Sequence, residues 1–490
     1  MGWLGVATPL LAQGPQAFTL PDTAAVIGLS PEAKHLRFVE ASPAPVALFE
    51  GADTLPCPQC DPKKHFWVAF AEVFAVEFIP ALVNRARGQE WAETDWDTWA
   101  QNLTLPWQWD NNAFKNNQFS HPYHGALYYN AARTNGYNFW QSAPFALGGS
   151  LMWELFFEAW APAPNDLTNT TLGGITLGEM LYRVSSLTLR NESRGVDRIV
   201  REVAAGLLNP VRGFNRVVRG EAWKVSQTPP DWRPSKVFGA LDVGYRGFTA
   251  GEEISDSTTL HGGIFIAELR YGDMDLDVGK APFSAFNLQL VLATNNGGSG
   301  ALTELRVRGS LGAKQLGDTP GRTQLAGFMS YDYTVNPILQ FGGQGFYYGP
   351  MINRGSEKGP KLSAELLGQF MPVAAVQSSY FITEEGRDYD YGIGLGGKGE
   401  AFLAWPGTGG FGLKARYIYI PIISGFPGSH QLLTLGAGAR IYYKGRIGLG
   451  ADIAHLWKFS NYTGRADVDQ QNSELRIYLT TSVPQWRQSQ

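Results

Sequence analysis

Two hydrophobic periods divide this chain of 490 residues near Pro229. Before that point apolar residues recur at helical spacing, and after it apolar and polar residues alternate. In residues 433–444 the apolar set is Leu433, Leu435, Ala437, Ala439, Ile441 and Tyr443. The polar-face set is Thr434, Gly436, Gly438, Arg440, Tyr442 and Lys444. About twelve such segments, separated by Gly-rich turns, are typical of a transmembrane β-barrel with an apolar outer face.

The pattern therefore predicts an α+β protein with three parts. Residues 1–63 form a signal-like segment and an irregular arm, residues 64–228 an aromatic-rich helical domain, and residues 229–490 an antiparallel transmembrane β-barrel of about twelve strands. Predicted helices cover residues 64–87, 121–134, 139–160 and 193–208. A further helix follows Pro164, with Asn165 or Asp166 as its N-cap and with Gly174 and Gly178 permitting close helix contact.

A soluble barrel or sandwich would also alternate, but the aromatic residues near the strand ends favour a membrane barrel. They are Tyr245, Tyr271, Tyr347, Tyr417, Tyr419, Tyr442, Tyr443 and Trp457. The polar strand faces carry the basic residues Arg246, Arg270, Arg306, Arg308, Lys414, Arg416 and Arg440. This excess of cations predicts a lumen that prefers anions.

Composition excludes other classes. A net charge of -4 argues against a nucleic-acid partner. No uninterrupted apolar run reaches the roughly 20 residues of a spanning helix, because the best run carries Glu72, Glu77 and Pro80. An ordinary helical membrane protein is therefore not expected. Cys57 and Cys60 are expected to form a small disulfide loop, with a redox dithiol as the alternative.

Most candidate functional residues lie between Phe119 and Arg183, where titratable and other polar residues interrupt an apolar stretch. Buried groups of this kind must form either a paired network or a site. The catalytic candidates are His121, His124, Glu154, Glu158, Asp166 and Glu179. A histidine and a carboxylate could act as acid and base on a lipid or glycan, and Ser142 or Ser150 could be nucleophiles, although no G-x-S-x-G elbow accompanies them.

Two other interpretations of the same residues stay open. His121 and His124 with Glu154 and Glu158 could supply metal ligands, although their spacing matches neither di-iron bundles nor zinc proteases. Alternatively, arginines neutralise the glutamates within a structural network. No cofactor is predicted.

Binding candidates surround these residues. They are Tyr123, Arg133, Trp153, Asn165, Arg183, Arg194, Arg198 and Arg201. The last three belong to a basic helix face, extended by Arg212, Arg216 and Arg219, that could be solvated or could contact lipid phosphates.

Four sequence blocks carry a family resemblance: HPYHGALYYNAAR, NGYNFWQS, WELFFE and PNDLTNTTLGGITLGE. Over about residues 65–220 the chain resembles an uncharacterised bacterial family, a domain of unknown function taken to be associated with the outer membrane. The resemblance implies an envelope location and brings no activity.

The sequence thus predicts an outer-membrane protein of a diderm bacterium that serves envelope transport or lipid handling. Its helices would plug the barrel or lie on the periplasmic side. The alternatives are an outer-membrane enzyme and a structural envelope protein. Expected partners are outer-membrane lipids and, during biogenesis, the barrel-assembly machinery, whereas the oligomeric state is left open.

Overall fold

The computed structural model describes residues 55–251, 258–294, 301–319, 322–336, 339–355, 359–443 and 446–487. The signal-like segment and most of the arm predicted for residues 1–63 lie outside these ranges. Cys57 and Cys60 form the expected disulfide.

The C-terminal half is a closed antiparallel barrel, as the alternation predicts. Its strands are β1 (Lys236–Gly251), β2 (Thr258–Tyr271), β3 (Phe286–Ala293), β4 (Ala301–Gln315), β5 (Thr323–Asn336), β6 (Leu339–Gly355), β7 (Lys361–Gln377), β8 (Tyr389–Trp405), β9 (Gly409–Ser424), β10 (Gly428–Tyr443), β11 (Ile447–Tyr462) and β12 (Val468–Arg487). Each strand pairs with its sequence neighbours, and β1 pairs with β12 to close the ring. We call the end where β1 begins and β12 finishes the terminal end, and the opposite one the far end.

Ion pairs between strands that are not neighbours identify the lumen face. Arg416 on β9 lies 2.9 Å from Asp332 on β5, and Arg440 on β10 lies 2.8 Å from Glu268 on β2. Such pairs can form only across the interior. Because side chains alternate along a strand, Leu305, Val307 and the other residues between the lumen positions point outward.

The outward wall has two regions. On the free wall, apolar side chains of β1 and β9–β12 are exposed. They include Val243, Leu413, Leu435, Ile441, Leu449, Ile453, Ile477 and Leu479. On the covered wall, Leu305, Val307, Met329, Tyr331 and Tyr333 are buried in one cluster with residues of the helical domain.

The helical domain consists of α1 (Phe66–Ala86), α2 (Trp96–Asn102), α3 (His121–Arg133), α4 (Phe139–Met152), α5 (Pro164–Thr168), α6 (Gly174–Thr188), α7 (Gly195–Leu208) and α8 (Pro210–Val218). The predicted helix over 139–160 is too long, because it passes into a π-helical turn at Trp153 and ends at Phe157. The predicted N-cap is also wrong: Ala163 is the N-cap of α5, and Pro164 is its first helical residue. Gly174 does permit close contact, since a Cβ there would lie 2.5 Å from the backbone of α3.

The helical domain packs on the outside of the barrel. Tyr331 donates a hydrogen bond to the Gln118 carbonyl oxygen, and the Asn117 side chain donates to the Tyr389 hydroxyl at 2.8 Å. Near the terminal end, Phe283 stacks on Phe139 with ring centroids 5.6 Å apart. The contacts therefore run along the height of the wall.

This placement corrects the expectation of a plug. The described helices contact outward-facing positions such as Tyr331, so they neither fill the lumen nor lie below one end of the barrel. The physical reason is that both partners offer apolar surfaces, whereas the lumen is polar and crossed by ion pairs.

The rejection of a spanning helix is also corrected. By length and composition, α1 is long and apolar enough to cross a membrane. Its glutamates do not face outward: Glu77 is buried, and Glu72 accepts a hydrogen bond from Asn135 at 2.9 Å. Apart from Arg85 in the last turn, the outer side of α1 is apolar, with exposed Phe66, Trp67, Phe70, Phe74, Phe78, Ile79, Leu82 and Val83.

The lumen differs from expectation in two respects. Tyr347 and Tyr442 line it rather than a membrane interface, and Tyr271 is buried under the helical domain. Among the described lining residues, ten cations face nine carboxylates, so the predicted excess of positive charge amounts to a single charge. Anion preference of the lumen as a whole stays a prediction.

Candidate functional site

Three π-helical turns meet around the N-terminus of α3. They span Asn116–Ser120, Trp153–Phe157 and Asn169–Gly173. Each turn brings a buried polar side chain to the same region, namely Asn117, Glu154 and Asn169. Because a π turn inserts a residue into the helical repeat, such turns are uncommon and often occur at functional sites.

His121 and Asp166 form the centre of this site. The His121 Nε2 lies 3.7 Å from the Asp166 Oδ1, and the His121 Nδ1 lies 3.3 Å from the Thr170 hydroxyl. Burial lowers the pKa of His121 to about 4. Burial, reinforced by the charges of Asp110 and Glu154, raises the pKa of Asp166 well above its usual value. At neutral pH the His121 imidazole is therefore uncharged, and Asp166 holds a proton more readily than an ordinary aspartate does.

Glu154 and Glu158 are the second part of the site. The Ala163 N–H donates to the Glu154 carboxyl group at 2.8 Å, and the Trp153 indole donates to that of Glu158 at 3.0 Å. Burial, together with neighbouring carboxyl groups, raises the pKa of both, that of Glu158 to about 8. In the described part of the chain no arginine pairs with either of them, so the network interpretation fails here.

Asn165 links the site to the barrel wall. Its amide nitrogen donates to Asp166 at 2.7 Å and to the Tyr391 hydroxyl at 3.2 Å. Its amide oxygen accepts from the Asp110 N–H at 2.9 Å. The site therefore lies at the seam between helices and barrel.

His124 faces different partners from His121. Its Nε2 lies 3.2 Å from the Val76 carbonyl oxygen of α1, and its ring packs edge-on against Trp153. Burial lowers the pKa of His124 to about 4. Tyr123, next to it in sequence, is partly exposed.

Glu179 belongs to a separate ionic network. Arg133 and Arg183 each approach its carboxylate at 2.8 Å, and the Tyr129 hydroxyl donates to it at 2.8 Å. Although burial alone would raise the pKa of Glu179, the two arginines hold it below its usual value. For this glutamate, neutralisation by arginines is the arrangement that the structure contains.

The described residues contain no group of three or more His, Cys, Asp or Glu side chains placed to hold a metal ion. Ser142 and Ser150 donate to the carbonyl oxygens of Asn138 and Leu167, at 2.9 and 3.4 Å. Neither bond is to a base.

Sequence reasoning missed several polar residues at the seam. They are Asn117, Gln118, Asn169, Gln344, Tyr389 and Tyr391. Buried side-chain atoms of Asn117, Gln118, His121, Asn169 and Gln344 have no hydrogen-bond partner in the structure. Unsatisfied groups are costly to bury, so their concentration at one place points to function or to bound water. The run of amide side chains at Asn116–Gln118 is the sequence signal that could have indicated them, because amides that are buried beside a helix require hydrogen-bond partners.

The basic face of α7 and α8 turns inward rather than toward solvent. Arg198 is buried and donates to the Ala222 carbonyl oxygen at 2.9 Å, while Arg216 pairs with Glu202 at 2.7 Å. Arg194 is exposed, and Arg201 pairs with Asp197. The exposed side is apolar, with Val196, Ile199, Val200, Val203, Leu207, Phe214, Val217 and Val218. The predicted solvated or lipid-phosphate face is therefore corrected for Arg198, Arg212 and Arg216, which lie inside.

Comparison with known proteins gives a family model and structural neighbours. A domain of unknown function (DUF3943) matches residues 106–211, a range that contains the candidate site. The expected domain of unknown function is thus present over a shorter range than the resemblance suggested. No curated protein matches the chain.

Among the solved structures that are similar to this chain are two outer-membrane channels or porins and one translocator domain. The COG4313 outer membrane channel from Pseudomonas putida F1 has 8% identity and a TM-score of 0.29, covering 51% of this chain and 96% of that one. The NanC porin has 11% identity and a TM-score of 0.26, covering 49% and 98%. The translocator domain of autotransporter NalP from Neisseria meningitidis has 12% identity and a TM-score of 0.26, covering 51% and 89%. At these low TM-scores the likenesses carry no argument about function.

Proposed function

We propose that the protein is an outer-membrane β-barrel that handles envelope lipids through a helical domain fixed to its outer wall. One observation carries this proposal: the free wall and the outer side of the helical domain both expose apolar side chains. Extensive exposed apolar surface is unfavourable in water and marks contact with lipid or with a partner.

The length of α1 supports the same placement. At about 1.5 Å per residue, its 21 residues span about 31 Å, which matches a bilayer's hydrocarbon core of about 30 Å. Since α1 is apolar on its outer side and keeps Glu72 and Glu77 inside, lipid is the environment that suits it.

An open pore is a weaker alternative. Ion pairs such as Arg416 with Asp332 cross the lumen, and an apolar cluster fills its far end. The cluster contains Leu339, Phe341, Met371, Ala374, Val376, Ile418, Ile420 and Leu432. Steady diffusion of solutes would require this layer to move. Lipid handling is therefore proposed over transport through the barrel.

Depth-dependent quenching tests the placement. Single cysteines at Leu449 on the free wall, Phe78 on α1 and Thr434 in the lumen would carry an environment-sensitive fluorophore in vesicles containing spin-labelled phospholipid. We expect strong quenching at Leu449 and Phe78 and weak quenching at Thr434. If aqueous iodide, rather than the lipid label, quenched the Phe78 fluorophore, the helical domain would lie outside the bilayer and the proposal would fail.

A second candidate function is an acid–base enzyme acting on a lipid or envelope glycan. The contact of an uncharged His121 with Asp166, whose pKa is raised by burial, among unsatisfied amides, favours it. In this structure the pair is buried, so substrate would have to enter along the seam.

Matched variants test the enzyme. His121→Gln should abolish turnover of radiolabelled membrane lipids, while His124→Gln, which alters the neighbouring histidine, should retain most of it. Equal retention by both would exclude His121 as the base. A protein that supports envelope integrity without any lipid turnover or redistribution would instead be structural.

A further inference from the structure

The barrel interior contains a cavity of about 1020 Å³ with two chemically different parts. Its walls carry charged residues from β2, β4 and β8–β12, and it extends to the rim of the terminal end at Lys236, Trp405 and Tyr442. Its floor is apolar and is formed by Leu339, Phe341, Ile418, Leu432 and Leu456. The cavity is thus a pocket with a charged wall and an apolar floor.

The floor is closed toward the far end. Behind it the His430 Nε2 lies 3.0 Å from Asp390 and its Nδ1 lies 2.9 Å from the Ser460 hydroxyl, and all three side chains are fully buried. Because these polar groups satisfy one another, the layer is a well-packed stop rather than a gap. A molecule in the cavity can therefore leave only toward the terminal end.

Cations gather on one side of the pocket. Arg306 and Arg476 share the single carboxylate of Glu304, and Lys414 lies close to both arginines. Arg476 also contacts Glu474, which Arg246 shares. Asp452 and Glu400 also lie near Lys414, so these four cations face four carboxylates. Among the described residues, however, no carboxylate lies within 4 Å of the Lys414 ammonium group, whereas the three arginines are each ion-paired.

Two details show how this group could accept an anion. The Arg306 Nε has no hydrogen-bond acceptor, although the atom is buried. The Lys414 stem lies over Gly436, where a Cβ would come within 2.5 Å of the Lys414 Cε. Glycine at that position therefore leaves room for the lysine, which lines the cavity.

We infer that the lumen binds an amphiphilic organic anion, with its carboxylate or phosphate at Arg306, Lys414 and Arg476 and its apolar part on the floor. A charged head accepts charge-assisted hydrogen bonds from the cations, and an apolar tail covers Phe341, Ile418 and Leu432. A neutral or cationic molecule of the same shape lacks the first contact. This site is separate from the helical seam and does not depend on the proposed function.

Calorimetric titration of the full chain in nanodiscs tests the inference with hexanoate as the probe. Hexanol and hexylammonium are the controls. They have the same apolar tail as hexanoate, but hexanol is uncharged and hexylammonium is a cation. We expect hexanoate to bind at least about tenfold more tightly than either, and its affinity to fall with added salt. Equal binding of hexanol would show that the cations are not the anchor and would overturn the inference, as would no binding of hexanoate.

Two pairs of variants locate the site. Lys414→Gln should weaken hexanoate binding by about tenfold or more, whereas Lys280→Gln, in the exposed loop after β2, should leave it unchanged. Leu432→Trp should fill the floor and abolish binding, whereas Leu435→Trp changes the lipid-facing side of the same strand. Heat-dependent gel migration would confirm that each barrel is folded. Folded Lys414→Gln and Leu432→Trp variants that bind as the wild type does would refute the assignment.

Discussion

An introduced arginine should lower the free energy of unfolding by different amounts on the free wall, on the covered wall and in the lumen. Arginine at Leu435 would point from the middle of β10 into lipid, since a 16-residue strand tilted by about 40° spans about 40 Å and Leu435 is its eighth residue. An arginine near mid-depth costs about 2–4 kcal/mol of folding free energy. Thr434→Arg places the same charge in the polar lumen, where we expect a cost below about 1 kcal/mol.

Val307→Arg separates the wall-packed arrangement from a plug. Val307 is 1% exposed because the helical domain covers it, so an arginine there would be an unpaired buried charge. The expected cost is about 3–5 kcal/mol, with loss of the helical domain from the wall. If the helices filled the lumen instead, Val307→Arg would cost the same as Leu435→Arg.

Guanidinium titration of the variants in phospholipid vesicles, followed by tryptophan fluorescence and gel migration, gives these free energies. Equal costs for Leu435→Arg and Thr434→Arg would refute the membrane barrel. A Val307→Arg protein that keeps protease-resistant, wall-bound helices would refute the packing described above.

Four further results are expected. Glu179→Gln should destabilise the helical domain by about 3–5 kcal/mol in thermal unfolding because it leaves two arginines unpaired. Glu154→Gln should cost less, because burial raises the pKa of Glu154 and no described arginine pairs with it; the reverse order would contradict this assignment. The pKa of Glu158 is raised to about 8 in the folded protein, so between about pH 5 and 8 the folded protein holds a proton that the unfolded chain releases. The free energy of unfolding should therefore fall as pH rises through this range, and Glu158→Gln should flatten that slope. Gly174→Ala should separate α3 from α6 and lower the melting temperature, while Gly148→Ala, with nothing within 4 Å of the added carbon, should not. In planar bilayers the wild type should show no steady conductance, and a stable open current would show that the apolar floor is mobile.

Much of the barrel could be predicted because a two-residue period fixes which side chains share a face. Leu433 and Thr434, for example, were assigned to opposite faces from the sequence alone. What the period cannot distinguish is the covered wall from the free wall. Leu305 and Leu435 obey the same rule because lipid and a packed helix both require apolar side chains. The position of the helical domain therefore depended on long-range contacts that the alternation does not encode.

The candidate site could be predicted only in part, and the π-helical turns explain why. A continuous helix over the predicted residues 139–160 would place Glu154 and Glu158, four residues apart, on one face, but the turn at Trp153–Phe157 changes the angular spacing of the residues after it. Glu154 and Asp166 do belong to one cluster of carboxyl groups. Glu179 does not, because α6 carries it to the two arginines. Residue type indicated which groups would be costly to bury, whereas their grouping depended on irregular backbone.

The wall of the barrel keeps the two candidate sites apart. Along β8, Tyr391 faces outward and bonds to Asn165 of the helical seam, while the adjacent Asp390 faces the lumen and bonds to His430. A strand offers no passage between its two faces, so nothing held in the lumen pocket can reach His121 through it. A substrate for the seam would therefore have to enter between the helical domain and the outer wall. A substrate that had to pass through the lumen to reach His121 would be inconsistent with this arrangement.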